Sequence, residues 1–142
     1  MEKLQTLGGQ LSKLLSSLEE NGMLSDESRV RTILCDWCRL IWHHLPLEAQ
    51  SGVKIAERYN LGNETGQALI SQRVRLWKLW QETPDHYNNP TKEAVALRAV
   101  ISCLYEDYEE PYLSLDMAMD VCNSLEPHEQ EQLQTLRSIF FD

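Results

Sequence analysis

The stretch "CDWCRLIWHH", residues 35–44, places two cysteines, two tryptophans and two histidines in one short segment. Read as a metal or redox centre, it calls for further ligands or a neighbouring sheet. Read as the inner face of a helix, it makes the chain an α-helical bundle. Cys35 and Cys38 are three positions apart and share a helix face, so both thiolates can reach one zinc ion at about 2.3 Å. A closed site needs two more ligands. On a continuous helix His43 and His44 lie more than about 12 Å further along the axis than Cys35. Helix neighbours also point about 100° apart, so the two imidazoles diverge. Cys103, Cys122, His86 or His128 would have to be brought in by folding, and there is no second C-x-x-C and no H-x-x-x-H. A thioredoxin-type pair sits at a helix amino terminus beside a sheet. Here it lies mid-helix with no strand nearby. Free cysteine is among the most buried residue types, so packing is the reading adopted. Val30, Ile33, Leu34, Trp37 and Ile41 then form one stripe, with Cys35, Cys38 and Trp42 beside it. Arg29, Asp36, Arg39 and His43 are left for solvent.

Helical periodicity extends in both directions. Leu4, Leu7, Leu11, Leu14, Leu15 and Leu18 form a stripe, interrupted at Gly8 and Gly9 and stopped by Asn21–Gly22. Ser25 or Asp26 caps a second helix expected to run to His44 or Leu45, with Pro46 ending it. A third covers 47–60, closed by Gly62, and a fourth covers 64–82, with Leu69, Leu76 and Trp80 in line. After the turn-rich "TPDHYNNP", Asn89 or Thr91 caps a fifth helix with Pro90 near its start. That segment, "EAVALRAVISCLY", is apolar on nearly every side, so a central helix near residues 92–106 is predicted, ended by Pro111. A sixth, 114–125, carries Leu115, Ala118, Met119 and Cys122 on one face. A seventh begins at Pro127, with Leu133, Leu136 and Phe140 pointing one way. Strand alternation is nearly absent. The expectation is a single all-α domain over residues 1–142, a bundle of six or seven helices.

The net charge of −9 is unevenly placed. Residues 1–98 hold 12 acidic and 12 basic side chains, whereas residues 99–142 hold ten acidic ones against Arg137 alone. Such a field repels nucleic acid and anionic membranes and attracts basic partners, although acidic surfaces also simply aid solubility. No apolar run approaches the roughly 20 residues that span a bilayer. The amino terminus lacks the layout of a secretory signal. Together with four cysteines outside any disulfide-framework spacing, this predicts a reducing cytoplasm. No phosphate-binding loop, nucleophile elbow, H-E-x-x-H or dinucleotide turn occurs, so no catalytic residue is assigned and no cofactor is expected. Glu57 and Arg58 are read as surface ion-pair residues, and Arg73, Arg75 and Lys78 are too few for nucleic acid.

The segment "LCDWCRLIWHHLPLEAQSGVKIAERYNLG" resembles one shared by uncharacterised bacterial helical proteins, roughly C-x-x-C-R-x-I-W-H-x-L followed by A-E-R-Y-x-x-G. The matching residues are Cys35, Cys38, Arg39, Ile41, Trp42, His43, Leu45, Ala56, Glu57, Arg58, Tyr59 and Gly62. The middle helix departs from that pattern, with "ISQRVRLWKLW" in place of alanines. The acidic, aromatic second half is similar to immunity proteins of bacterial toxin systems. Those resemblances imply a helical fold and, for the second, a toxin-like partner; neither brings a catalytic residue. The functional expectation is a non-enzymatic interaction module binding a basic protein through Tyr105, Glu106, Asp107, Tyr108, Glu109, Glu110, Tyr112, Asp116 and Asp120. The alternatives are a metal-binding or thiol sensor on Cys35 and Cys38, and a helical subunit that self-associates or joins a larger assembly through its tryptophans.

Overall fold

In the computed structural model, which describes residues 6–141, the regular structure is entirely helical, and no strand occurs among the described residues. In chain order the helices are α1 (Leu7–Glu20), α2 (Glu27–Leu40), α3 (Leu47–Asn60), α4 (Gly66–Glu82), α5 (Lys92–Ile101), α6 (Pro111–Leu125) and α7 (Glu129–Phe141). A single 3-10 turn, Trp42–His44, joins α2 to α3. Side-chain caps start four of the helices. Thr6, Thr65 and Thr91 each accept a hydrogen bond from the amide three residues on, and Asp26 accepts from Ser28 and Arg29. Each cap satisfies amides that the first turn leaves without a carbonyl. Gly22 and Gly62 close α1 and α3 in the left-handed region, at φ +68° and +79°, where a β-carbon is disfavoured. Leu4 of the first leucine stripe lies outside the described residues.

The apolar stripes become the core much as their spacing requires. Leu11, Leu15 and Leu18 are buried from α1; Leu69, Leu76 and Trp80 from α4; Leu115, Ala118, Met119 and Cys122 from α6. Helix α5 is the hub, packing against α2, α3, α4, α6 and the 3-10 turn. Its buried residues include three small side chains, Ala94, Ala96 and Ala99.

Several boundaries differ from expectation; α4 opens at Gly66 rather than residue 64, and α7 at Glu129 rather than Pro127. Helix α2 stops at Leu40 rather than His44, because Ile41 leaves helical geometry and the chain tightens into the 3-10 turn before Pro46. Helix α5 stops at Ile101, its buried run continuing through the turn to Leu104. Pro111 does not end α5 but opens α6, at a first-turn position where its missing amide costs nothing.

The α3–α5 seam is tight at Gly52. A β-carbon there would lie 2.9 Å from Val100 Cγ1, 3.2 Å from Leu76 Cδ1 and 3.4 Å from Leu104 Cδ1. Alanine gains about 1 kcal/mol in helix propensity, but overpacking a tight core costs about 1–3 kcal/mol. Val100 is β-branched and has little rotamer freedom with which to yield. Gly52→Ala is therefore expected to lower stability by about 1 kcal/mol, read as a reduced midpoint in urea at an unchanged slope.

Candidate functional site

Folding brings all four cysteines into one buried row. Cys38 Sγ lies 3.6 Å from Cys103 Sγ, and all four thiols are free and buried. Contact with Cys103, then burial, pushes the Cys35 thiol well above its ordinary pKa. At Cys38 the Cys103 contact works downward but is outweighed by Cys122 and burial. At Cys103 the Cys35 contact works downward and is outweighed by Cys38 and burial. A thiol held protonated in a dry core is a poor nucleophile and a poor metal ligand. Among the described residues no three sulfurs lie mutually within 4.8 Å, so the row is no closed tetrahedron.

Of the tryptophans, Trp37 and Trp80 are buried. Trp42 and Trp77 are half-buried and carry the molecule's own cations. The Arg39 guanidinium carbon stands 4.1 Å above the Trp42 ring, and that of Arg98 5.1 Å from Trp77. Glu57 and Arg58 are both ion-paired, Glu57 through a two-toothed contact with Arg39 and Arg58 with Glu64.

The acidic segment spans the α5–α6 connection and the outer face of α6. Its backbone is fixed by two arginines that donate to carbonyls rather than to carboxylates. Arg31 Nη2 donates to the Tyr105 and Glu106 carbonyls, the latter at 3.0 Å, and Arg73 Nη1 donates to the Leu104 carbonyl at 2.8 Å. The carbonyls just past a helix end lack intrahelical donors, and these cations supply them.

The three tyrosines are used internally. The Tyr108 hydroxyl donates to the Ser102 carbonyl at 2.7 Å, and burial pushes its phenol well above the usual tyrosine value. The Tyr105 ring lies under Arg73, and the Tyr112 hydroxyl is 3.4 Å from Ser16 Oγ. The Glu106 carboxylate lies against the first turn of α4, where Gly66 leaves it room. A helix amino terminus favours a negative charge there.

The other acids stand differently. Asp107, Glu109, Glu110 and Asp120 are exposed and Asp116 is half-buried; among the described residues their carboxylates make no ion pair or hydrogen bond. Asp107, Glu109 and Glu110 line an open hollow of about 480 Å³ with Tyr105, Tyr108, Leu113, Ser114 and Met117. Leu113 is 54% exposed and Met117 40%. Sequence reasoning omitted this apolar pair, although an i, i+4 spacing off the buried stripe of α6 marks it.

A second group departs from the sequence reading, which set His43 and His44 aside as diverging helix neighbours and gave Glu126 no part with them. Because α2 breaks at Ile41, His43 and His44 do not diverge: their rings lie 4.2 Å apart. Both Nε2 atoms reach Glu126 Oε1, at 2.9 and 3.3 Å, and His128 Nε2 lies 2.6 Å from Glu126 Oε2. The contact with His43 above all holds the Glu126 carboxyl below its usual range, with His44 and His128 adding to it. Comparison with known protein families, curated proteins and solved structures gives no match for this chain.

Proposed function

We propose that the chain is a non-enzymatic interaction module that holds a basic protein through the face formed by Asp107, Glu109, Glu110, Leu113, Met117 and Asp120. The observation that carries this reading is the set of unpaired carboxylates beside two exposed apolar side chains. Unpaired acids can turn toward an incoming lysine or arginine without first giving up an internal partner. The apolar pair supplies the contact area that charge alone lacks. Tyr105, Tyr108 and Tyr112 support the face from beneath. An acidic inhibitor of a basic enzyme fits these properties, because complementary charge speeds encounter and blocks a surface built for an anionic substrate. The proposal therefore extends to an immunity role of the kind suggested by the resemblance in the second half, in a reducing cytoplasm where free thiols persist.

The double variant Asp107→Lys with Glu110→Lys tests it. Affinity purification from the source lysate should recover high-pI proteins on the parent chain, with recovery falling as salt rises. The variant should retain at most about one tenth of that capture, with its circular dichroism unchanged. Equal recovery of the same proteins on both chains would refute the reading.

A further inference from the structure

We propose that His43, His44 and Glu126 form an exchangeable site for a divalent transition-metal ion of the Zn²⁺ type. The ring nitrogens His43 Nε2 and His44 Nε2 and the carboxylate oxygen Glu126 Oε1 all lie within 4.8 Å of one another. A tetrahedral ion with nitrogen and oxygen bonds near 2.0–2.1 Å separates its ligand atoms by about 3.3 Å. The observed nitrogen-to-oxygen separations, 2.9 and 3.3 Å, already approach that spacing. The third separation, between the two ring nitrogens, lies within 4.8 Å, so closing on an ion is a matter of turning the two imidazoles inward. Two imidazoles and one carboxylate suit Zn²⁺, Co²⁺, Ni²⁺ or Cu²⁺ rather than Ca²⁺ or Mg²⁺, which prefer an all-oxygen shell.

The donors are held in place by parts of the chain more than eighty residues apart in sequence. The 3-10 turn is closed by His44 N to the Ile41 carbonyl at 2.8 Å and Leu45 N to the Trp42 carbonyl at 3.0 Å. On the opposite side Glu126 caps α6 through its amide to the Cys122 carbonyl, and Asn123 Oδ1 accepts from the His128 amide at 2.9 Å. His128 supplies an independent sign. Its Nε2 is enclosed and close to Glu126 Oε2, yet forms no hydrogen bond of acceptable angle. The ring stands against the rear oxygen of the carboxylate and leaves Oε1 on the side of His43 and His44. Three protein donors with the fourth position open to solvent make a site that exchanges its ion, unlike a closed four-ligand structural centre. Occupancy would staple the α2–α3 turn to the α6–α7 junction.

The test uses the full chain, free of any affinity tag, treated with chelator and dialysed. Calorimetric titration with Zn²⁺ alone should give one ion per chain. Co²⁺ alone should give the visible absorption of a low-symmetry nitrogen–oxygen site, without the intense thiolate band that the cysteines would add. His43→Ala and Glu126→Gln, both at partly exposed positions, should each weaken Zn²⁺ by at least about tenfold, while Cys38→Ala should leave it unchanged. Absence of saturable uptake, uptake unaltered in both ligand variants, or uptake lost with Cys38→Ala would each overturn the proposal.

Discussion

Arg31→Met is expected to remove about 3 kcal/mol of stability, among the largest losses any single side chain should produce here. Arg31 lies on α2 with 3% exposure, and no carboxylate among the described residues pairs with it. Its charge is met by dipoles and ring faces instead. Nη1 donates to Asn60 Oδ1 at 2.8 Å, and Nη2 to the Tyr105 and Glu106 carbonyls. The Tyr59 and Tyr108 rings stand 4.8 and 5.6 Å from the guanidinium carbon. Hydrogen bonds to a charged group contribute roughly 1.5–3 kcal/mol each, and a ring face about 1 kcal/mol. Against these stands a desolvation cost of several kcal/mol, which methionine avoids. The balance still favours arginine, because methionine leaves two loop carbonyls and the Asn60 oxygen without a donor. Urea unfolding reads the loss. Hydrogen exchange should also quicken first across residues 103–110, which Arg31 ties to α2. A methionine variant as stable as the parent would mean that desolvation cancels every contact the guanidinium makes.

The second large effect is alkaline collapse. In the unfolded chain a thiol titrates near pH 9, whereas in the folded chain Cys35, Cys38 and Cys103 are all held well above that value. Above pH 9 the unfolded state therefore sheds protons that the folded state keeps. Stability is complete below that pH and falls as pH rises, by about 1.4 kcal/mol per thiol per pH unit. Three such thiols make the fall steep, and the raised Tyr108 phenol adds to it above pH 10. Unfolding free energy measured from pH 7 to 10.5 should stay flat and then drop. Cys103→Ala should make the drop shallower by at least one thiol's share, because Cys35 also loses the contact that does most to raise it. A flat profile to pH 10.5 would mean that these sulfurs gain solvent in the native state.

Local pattern carried most of the architecture. Helix α3 occupies the interval between Pro46 and Gly62 that the sequence marks, and α4 and α6 bury the stripes their spacing defines. What local pattern could not carry was partnership across the fold. Arg31 sits between Val30 and Ile33 on the buried side of α2, and a charge there reads as solvent-facing until carbonyls from the α5–α6 connection arrive beside it. Gln132 is buried for a similar reason, its Oε1 accepting from Asn123 across the α6–α7 turn. The histidine group depends on a helix break whose position Pro46 only bounds, and on Glu126, distant in sequence. The carboxylates of the proposed interaction face were legible as a charge excess. Their lack of internal partners was not, because it turns on the arginines bonding to carbonyls.

The tight α3–α5 seam also bears on which substitutions the lineage of this chain can accept. Gly52 meets Val100, Leu76 and Leu104 with no room for a β-carbon, and the fully buried Ala49 and Ala56 share its helix, so enlarging any of them overpacks the core. The leucines of α1 can exchange for methionine or isoleucine with modest repacking. Mutational drift should therefore be slow along the seam and rapid at the amino-terminal helix, whatever partner the outer surface comes to serve.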